Sequence, residues 1–106
     1  MKFLVLFLIG TVLISLCTQP TTEDKLKVQN LCINACKSAL NAGQNLENGP
    51  CLLNPITETP DWVCDVAHSP RQAIDNLQEN QCQAFREGKA HHFVEVDTSC
   101  NLIRAV

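Results

Sequence analysis

The chain is poor in aromatic residues, which make up 5% of its 106 positions, and beyond residue 17 only Trp62, Phe85 and Phe93 supply aromatic bulk. A core built on so few large side chains is thin, and a small domain of this kind needs help to stay folded. Several chemical signatures are missing as well. No glycine-rich phosphate loop, no Gly-x-Ser-x-Gly nucleophile frame and no Cys-x-x-Cys pair occurs. Their absence removes the sequence grounds for a nucleotide cradle, a hydrolase elbow, a zinc knuckle and a thiol oxidoreductase. No basic cluster is present either, and the formal net charge is −3, one unit more negative once Lys2 is set aside with the leader. Such a domain is a poor partner for nucleic acid or for an anionic lipid surface.

What is present begins with export. Met1-Lys2 is followed by a nearly uninterrupted apolar run from Phe3 to Leu16. That run is short of the roughly 20 residues a spanning helix needs and fits the core of a signal peptide. Two kinds of processing fit the next residues. Ile14-Ser15-Leu16-Cys17, ahead of the polar segment Thr18-Gln19-Pro20-Thr21-Thr22, has the form of a lipoprotein signal with Cys17 as the lipidation site, although Leu16 stands where that signal wants a small residue. Alternatively, Ser15 and Cys17 occupy the small positions of an ordinary signal-peptidase site. An uncleaved anchor is the third reading, because no Ala-x-Ala site follows the apolar run. The expected organisation is therefore a leader at 1–17, a polar tether at 18–23 and one domain at 24–106. Any membrane attachment runs through the N-terminal segment or a lipid on Cys17, where a single acyl chain holds only marginally.

The remaining six cysteines, Cys32, Cys36, Cys51, Cys64, Cys82 and Cys100, form an even set behind an export signal. In an oxidising compartment such a set reads as disulfides, which supply the stability that the thin core lacks. A helix is expected from Thr22, as cap, to Gly43, with Glu23 and Asp24 at its positive end. Val28, Leu31, Cys32, Ala35, Cys36 and Ala39 recur along one face, so both cysteines point inward. Two thiols at i and i+4 project side by side, and joining them would distort the turn. Each is expected to bond a partner on another element, with Cys64 the favoured partner of Cys32 or Cys36.

Asn48-Gly49-Pro50 reads as a turn, and Cys51 to Ile56, with Pro55 and Pro60 nearby, as an irregular or edge segment. Asp61 to Ala67 alternates, with Trp62, Cys64 and Val66 toward the core. Ser69-Pro70-Arg71-Gln72 has the form of a helix start with Ser69 as cap. His92 to Asp97 and Leu102 to Val106, joined by a turn, read as a C-terminal hairpin. The expected fold is α+β: one main N-terminal helix packed on a small antiparallel sheet and stabilised by disulfides.

Residues able to carry chemistry are few. His68, His91 and His92 lie at strand ends, and if strands 62–67 and 92–97 run antiparallel side by side, His68 comes close to His92. That pair, with His91, is the candidate metal site for zinc or copper, and Asp65 or Glu95 joins it only by reaching round an edge. Histidines at strand ends are otherwise solvated or bonded to backbone. Glu95 and Asp97 share the outward face with Phe93, where a solvated surface puts its charges. Ser69 and Ser99 sit beside turn signals without a catalytic frame, so no catalytic residue is assigned and no enzyme is expected.

The run Asp61-Trp62-Val63-Cys64-Asp65-Val66-Ala67-His68-x-Pro70-Arg71, with Asn80-Gln81-Cys82, Ala84-Phe85-Arg86-Glu87-Gly88 and Ala90-His91-His92-Phe93-Val94-Glu95-Val96-Asp97, resembles a group of small exported cysteine-rich archaeal proteins of unassigned function. The resemblance covers roughly Gly49 to the end and implies export and a cysteine-rich domain. The expected role is a secreted or surface-held, non-catalytic binding or structural module, with an extracellular protein or glycan as partner and no cofactor other than zinc or copper at the histidines.

Overall fold

The principal helix, α1 (Thr22–Asn41), opens on a reciprocal cap in the computed structural model, which describes residues 19–106. The leader, Cys17 with its proposed lipidation, and Thr18 of the tether lie outside the described residues. The Thr21 hydroxyl accepts from the Asp24 backbone N–H at 3.0 Å, while the Asp24 carboxylate accepts from the Thr21 N–H at 3.3 Å. The cap is thus one residue earlier than expected. Thr22 and Glu23, assigned from sequence to the tether, belong to the helix. At the other end Gly43, with φ +85°, closes the helix as the spacing predicts. Its N–H reaches the Leu40 carbonyl and the Gln44 N–H reaches that of Ala39, so two terminal carbonyls are satisfied by a Schellman turn. Val28, Cys32 and Cys36 are buried on one face of α1.

That face packs on a four-stranded sheet in the order β1 (Cys51–Leu53), β2 (Trp62–Val66), β3 (His92–Val96) and β4 (Leu102–Ala105). Trp62, Cys64 and Val66 from β2 join Val94 and Val96 from β3 and the helix residues in the main core. The expected edge segment is β1, and the expected hairpin is β3 with β4. The fold is therefore α+β, one helix on a mostly antiparallel sheet with three disulfides.

One pairing differs from expectation. β2 and β3 run parallel, with Trp62 opposite His92 and Val66 opposite Val96. Parallel neighbours need a crossover long enough to return to the start of the sheet, and the residues between β2 and β3 provide it. They cross the face of the sheet opposite α1 and carry two short 3₁₀ turns (Ala73–Asn76 and Gln78–Asn80) and the one-turn helix α2 (Gln83–Arg86). Val63, Cys82, Ala84 and Ala90 bury one another there as a second, smaller core. An antiparallel pairing joined by a tight return would have left Val63 uncovered.

Ser69 does not cap the first of these turns. The turn starts at Ala73, and the buried carboxylate of Asp75 accepts from the backbone N–H groups of Gln72 at 2.8 Å and His68 at 3.0 Å. A carboxylate takes two orphan donors here where a single hydroxyl would satisfy one.

The six cysteines pair as Cys32–Cys64, Cys36–Cys100 and Cys51–Cys82, with Cα separations of 5.3, 5.6 and 5.0 Å. The first two fasten α1 to β2 and to the turn between β3 and β4, as the inward stripe of thiols implies. The third fastens the crossover to β1. Each closes a loop of 31 to 64 residues, and closing loops of that length removes about 4 kcal/mol of denatured-state entropy apiece in the chain-entropy account. Three such bonds are consistent with an extracellular or otherwise oxidising environment. Among the described residues no helix is long and apolar enough to cross a membrane.

Candidate functional site

The crossover does not cover the second face of the sheet completely. Between it and the strands lies a pocket of about 410 Å³. Strand register explains its lining. Asp65 stands opposite Cys51 on one side and Glu95 on the other, and Glu95 stands opposite Arg104, so one row crosses all four strands. One layer over, Val63 stands beside Phe93. Period-two alternation puts all of these on the face away from α1.

The crossover supplies the rest. Arg71 reaches Glu95 at 2.7 Å, and Arg104 reaches its other carboxylate oxygen at 2.9 Å. Phe85 meets Phe93 edge to face with ring centroids 5.1 Å apart, and the Arg104 guanidinium lies over the Phe93 ring at 5.2 Å. Gln81, Cys82 and Arg86 complete the wall. Glu95, expected in solvent, is only 5% exposed. Its charge is tolerated there because two arginines flank it.

Asp65 has no such support. It is 9% exposed, and its Oδ1 is buried without a hydrogen-bond partner. Burial pushes its carboxyl up to about 8, the Glu95 charge beside it adds to the rise, and Arg71 opposes it. At neutral pH Asp65 is therefore a protonated acid, able to donate a hydrogen bond into the pocket. Beside it sits a carboxylate already held by arginine. Among the described residues no hydroxyl, imidazole, amine or free thiol lines the pocket. The arrangement can hold and orient a polar group against an apolar wall.

The histidines fall elsewhere. Parallel pairing sends the exit of β2 and the entry of β3 to opposite ends of the sheet, so the structure does not bring His68 and His92 together. His68 Nδ1 lies 2.9 Å from Asp75 Oδ1, and its Nε2 lies 3.9 Å from Glu47. Burial tends to raise the Asp75 carboxyl, but the Gln72 and His68 N–H groups and the His68 ring outweigh it and leave it lowered. At the far end His92 stacks on Trp62 with centroids 4.8 Å apart, and Asp61 lies 2.6 Å from His91 Nδ1 and 3.5 Å from His92 Nε2. Asp61 is lowered as well, with burial opposed by the hydrogen bonds and charge of His91. Among the described residues no group of three or more histidine, cysteine, aspartate or glutamate side chains is arranged to hold a metal ion. Asp65 and Glu95 face the other side of the sheet and do not join the histidines. Each histidine instead has a carboxylate within 4 Å.

Reading the sequence located the strands but missed Arg71, Arg86 and Arg104 as members of a site. Two signals pointed to it. Asp65 is the lone charge inside the apolar run Trp62 to Ala67, where alternation sets it against the core face. The connector after it is long for a hairpin and rich enough in short helical turns to cover a face. No family model, curated protein or solved structure matches the chain.

Proposed function

We propose that the chain is a small exported, disulfide-locked, non-catalytic binding module that takes a polar or charged group of an extracellular ligand into the pocket between the sheet and the crossover. The single observation that carries this reading is Asp65, an acid held almost entirely out of water on the pocket floor with one oxygen unsatisfied. An unpartnered buried carboxyl is unfavourable to the fold, and groups of that kind cluster where a ligand supplies the missing partner. Export rests on the leader-like N-terminus and agrees with three disulfides. Pinning the crossover to β1 through Cys51–Cys82 sets the pocket walls in advance, which reduces the ordering a ligand must impose.

A panel of small fragments of varied charge, titrated into the oxidised ¹⁵N-labelled chain, tests the reading. Saturable amide shifts confined to Val63, Asp65, Phe85, Phe93 and Glu95 support it. Shifts scattered over the surface, or none at these positions, refute it.

A further inference from the structure

Three arginines, Arg71, Arg86 and Arg104, line the pocket against two carboxyl groups, Asp65 and Glu95. The lining is therefore net positive whether Asp65 is protonated or not, in a chain whose formal net charge is −3. Arg71 and Arg104 are both committed to Glu95. Arg86 makes no ion pair among the described residues and stands on α2 next to Phe85. The apolar side of the pocket is made by Val63, Phe93 and Phe85, with the two rings set edge to face. An uncommitted guanidinium and a buried carboxyl thus line the same pocket as two aromatic rings.

We propose that this pocket is a binding site for a small carboxylate carrying an aromatic or branched apolar body, with the carboxylate seated between Arg86 and Asp65 and the body against Phe85 and Phe93. The proposal rests on the reading of the pocket as the binding site and adds the class of ligand. The planar guanidinium of Arg86 matches a carboxylate in a two-bond fork. Asp65, protonated, donates a short O–H···O⁻ bond from the floor, which satisfies the group the fold leaves unpaired. A cationic ligand meets three arginines instead, and a neutral amide presents no charge to Arg86. A cavity of about 410 Å³ falls in the range that accepts a small organic molecule, about 300–1,000 Å³.

A dependence on pH follows from the groups around Asp65. Glu95 stands beside it on β3, Arg71 and Asp75 act on it from the crossover and its first turn, Cys51 stands opposite it on β1, and Arg104 on β4 and Arg86 on α2 line the same pocket. Loss of the Asp65 proton removes the donor and places a second negative charge beside the bound carboxylate. Affinity therefore falls as the solution becomes alkaline.

The test uses three probes that share a phenylalkyl body, 3-phenylpropionate, its isosteric amide 3-phenylpropionamide and 3-phenylpropylamine, titrated into the oxidised full chain and followed by amide shifts. The expected result is that 3-phenylpropionate binds at least about tenfold more tightly than the amide and the amine. Arg86→Ala, an exposed position that leaves the fold intact, weakens the acid by about tenfold and leaves the amide unchanged. Moving from about pH 6 to about pH 10 weakens the acid in the wild type but not in Asp65→Asn. Equal or tighter binding of the amide or amine in the pocket overturns the anion assignment while the binding-pocket reading stands. If no probe at about 10 mM shifts the pocket amides, both fall together.

Discussion

Replacing Asp65 by asparagine should stabilise the protein, by an amount that depends on pH. In the folded chain burial pushes the Asp65 carboxyl up to about 8, whereas an unfolded aspartate ionises near 3.8. Between these values the folded state holds a proton that the unfolded state releases. The unfolded state binds fewer protons over that window, so stability falls as pH rises from about 4 to about 8 and is level beyond it. At pH 7 the accumulated penalty is roughly 4 kcal/mol, an upper figure because local relaxation and water entry lessen it. Asparagine keeps the shape and removes the titration. Denaturant unfolding of the two proteins at matched pH reads the difference. The variant should be more stable by at least about 2 kcal/mol at pH 7, and the gap should close near pH 4. Asp75 and Asp61, whose carboxyls are lowered, contribute stability that is lost as pH falls through their folded values. They act in the acid range, below the window in which Asp65 acts, and they are common to both proteins. A gap that is absent at pH 7, or equal at pH 4 and 7, would refute the argument that Asp65 is a buried neutral acid. A large gap would also show that the fold keeps this acid at the expense of stability, as expected of a residue held for binding.

Three further outcomes follow from the same face of the sheet and its cover. Removing Arg71 or Arg104 alone leaves Glu95 one partner, whereas Arg71→Ala with Arg104→Ala strands a carboxylate that is 5% exposed; the double variant should lose about 3–5 kcal/mol, more than the two single losses combined, and additivity in a double-mutant cycle would argue against shared support. Replacing Cys51 and Cys82 by alanine frees the crossover from β1, so hydrogen exchange should accelerate in residues 67–91 while amides of α1 and the paired strands stay protected, with a stability loss of about 4 kcal/mol by denaturant. Gly49→Ala should destabilise by at least about 2 kcal/mol in thermal unfolding, since an added methyl falls 2.5 Å from Asp75 Oδ1 on a backbone with φ +67°; an unchanged midpoint would mean that the turn shifts freely.

Much of this fold was legible from local pattern. The inward stripe of α1 named both helix cysteines as residues with distant partners, and alternation in Trp62 to Ala67 set Cys64 on the same core. Those two patterns pointed to Cys64 as partner of Cys32 or Cys36, and packing chose Cys32. Gly43 as helix terminator and the C-terminal hairpin were equally local, because each depends on neighbours within a few residues.

The helix start and the Ser69 cap were misplaced by one and several residues, since competing side chains nearby, Thr21 and Asp75, satisfy the same backbone donors. The larger difference came from strand direction. Alternation says which face a residue takes but is blind to whether its neighbour runs parallel or antiparallel. That single choice parted His68 from His92 and removed the geometry expected for a metal.

The sequence by itself determined a disulfide-bonded α+β domain with one main helix, because cysteine placement and periodicity act over one turn or one strand. Only the tertiary structure decided that residues 67–91 return across the second face, since that depends on which distant segments bury each other. The same return moved Glu95 from solvent to the interior and brought Arg71 and Arg86 to the pocket, where strand register already set Glu95 beside Asp65 and opposite Arg104. Charges far apart in the chain share one dielectric environment only after the crossover has closed over them, and that is why the pocket was invisible before the fold was known.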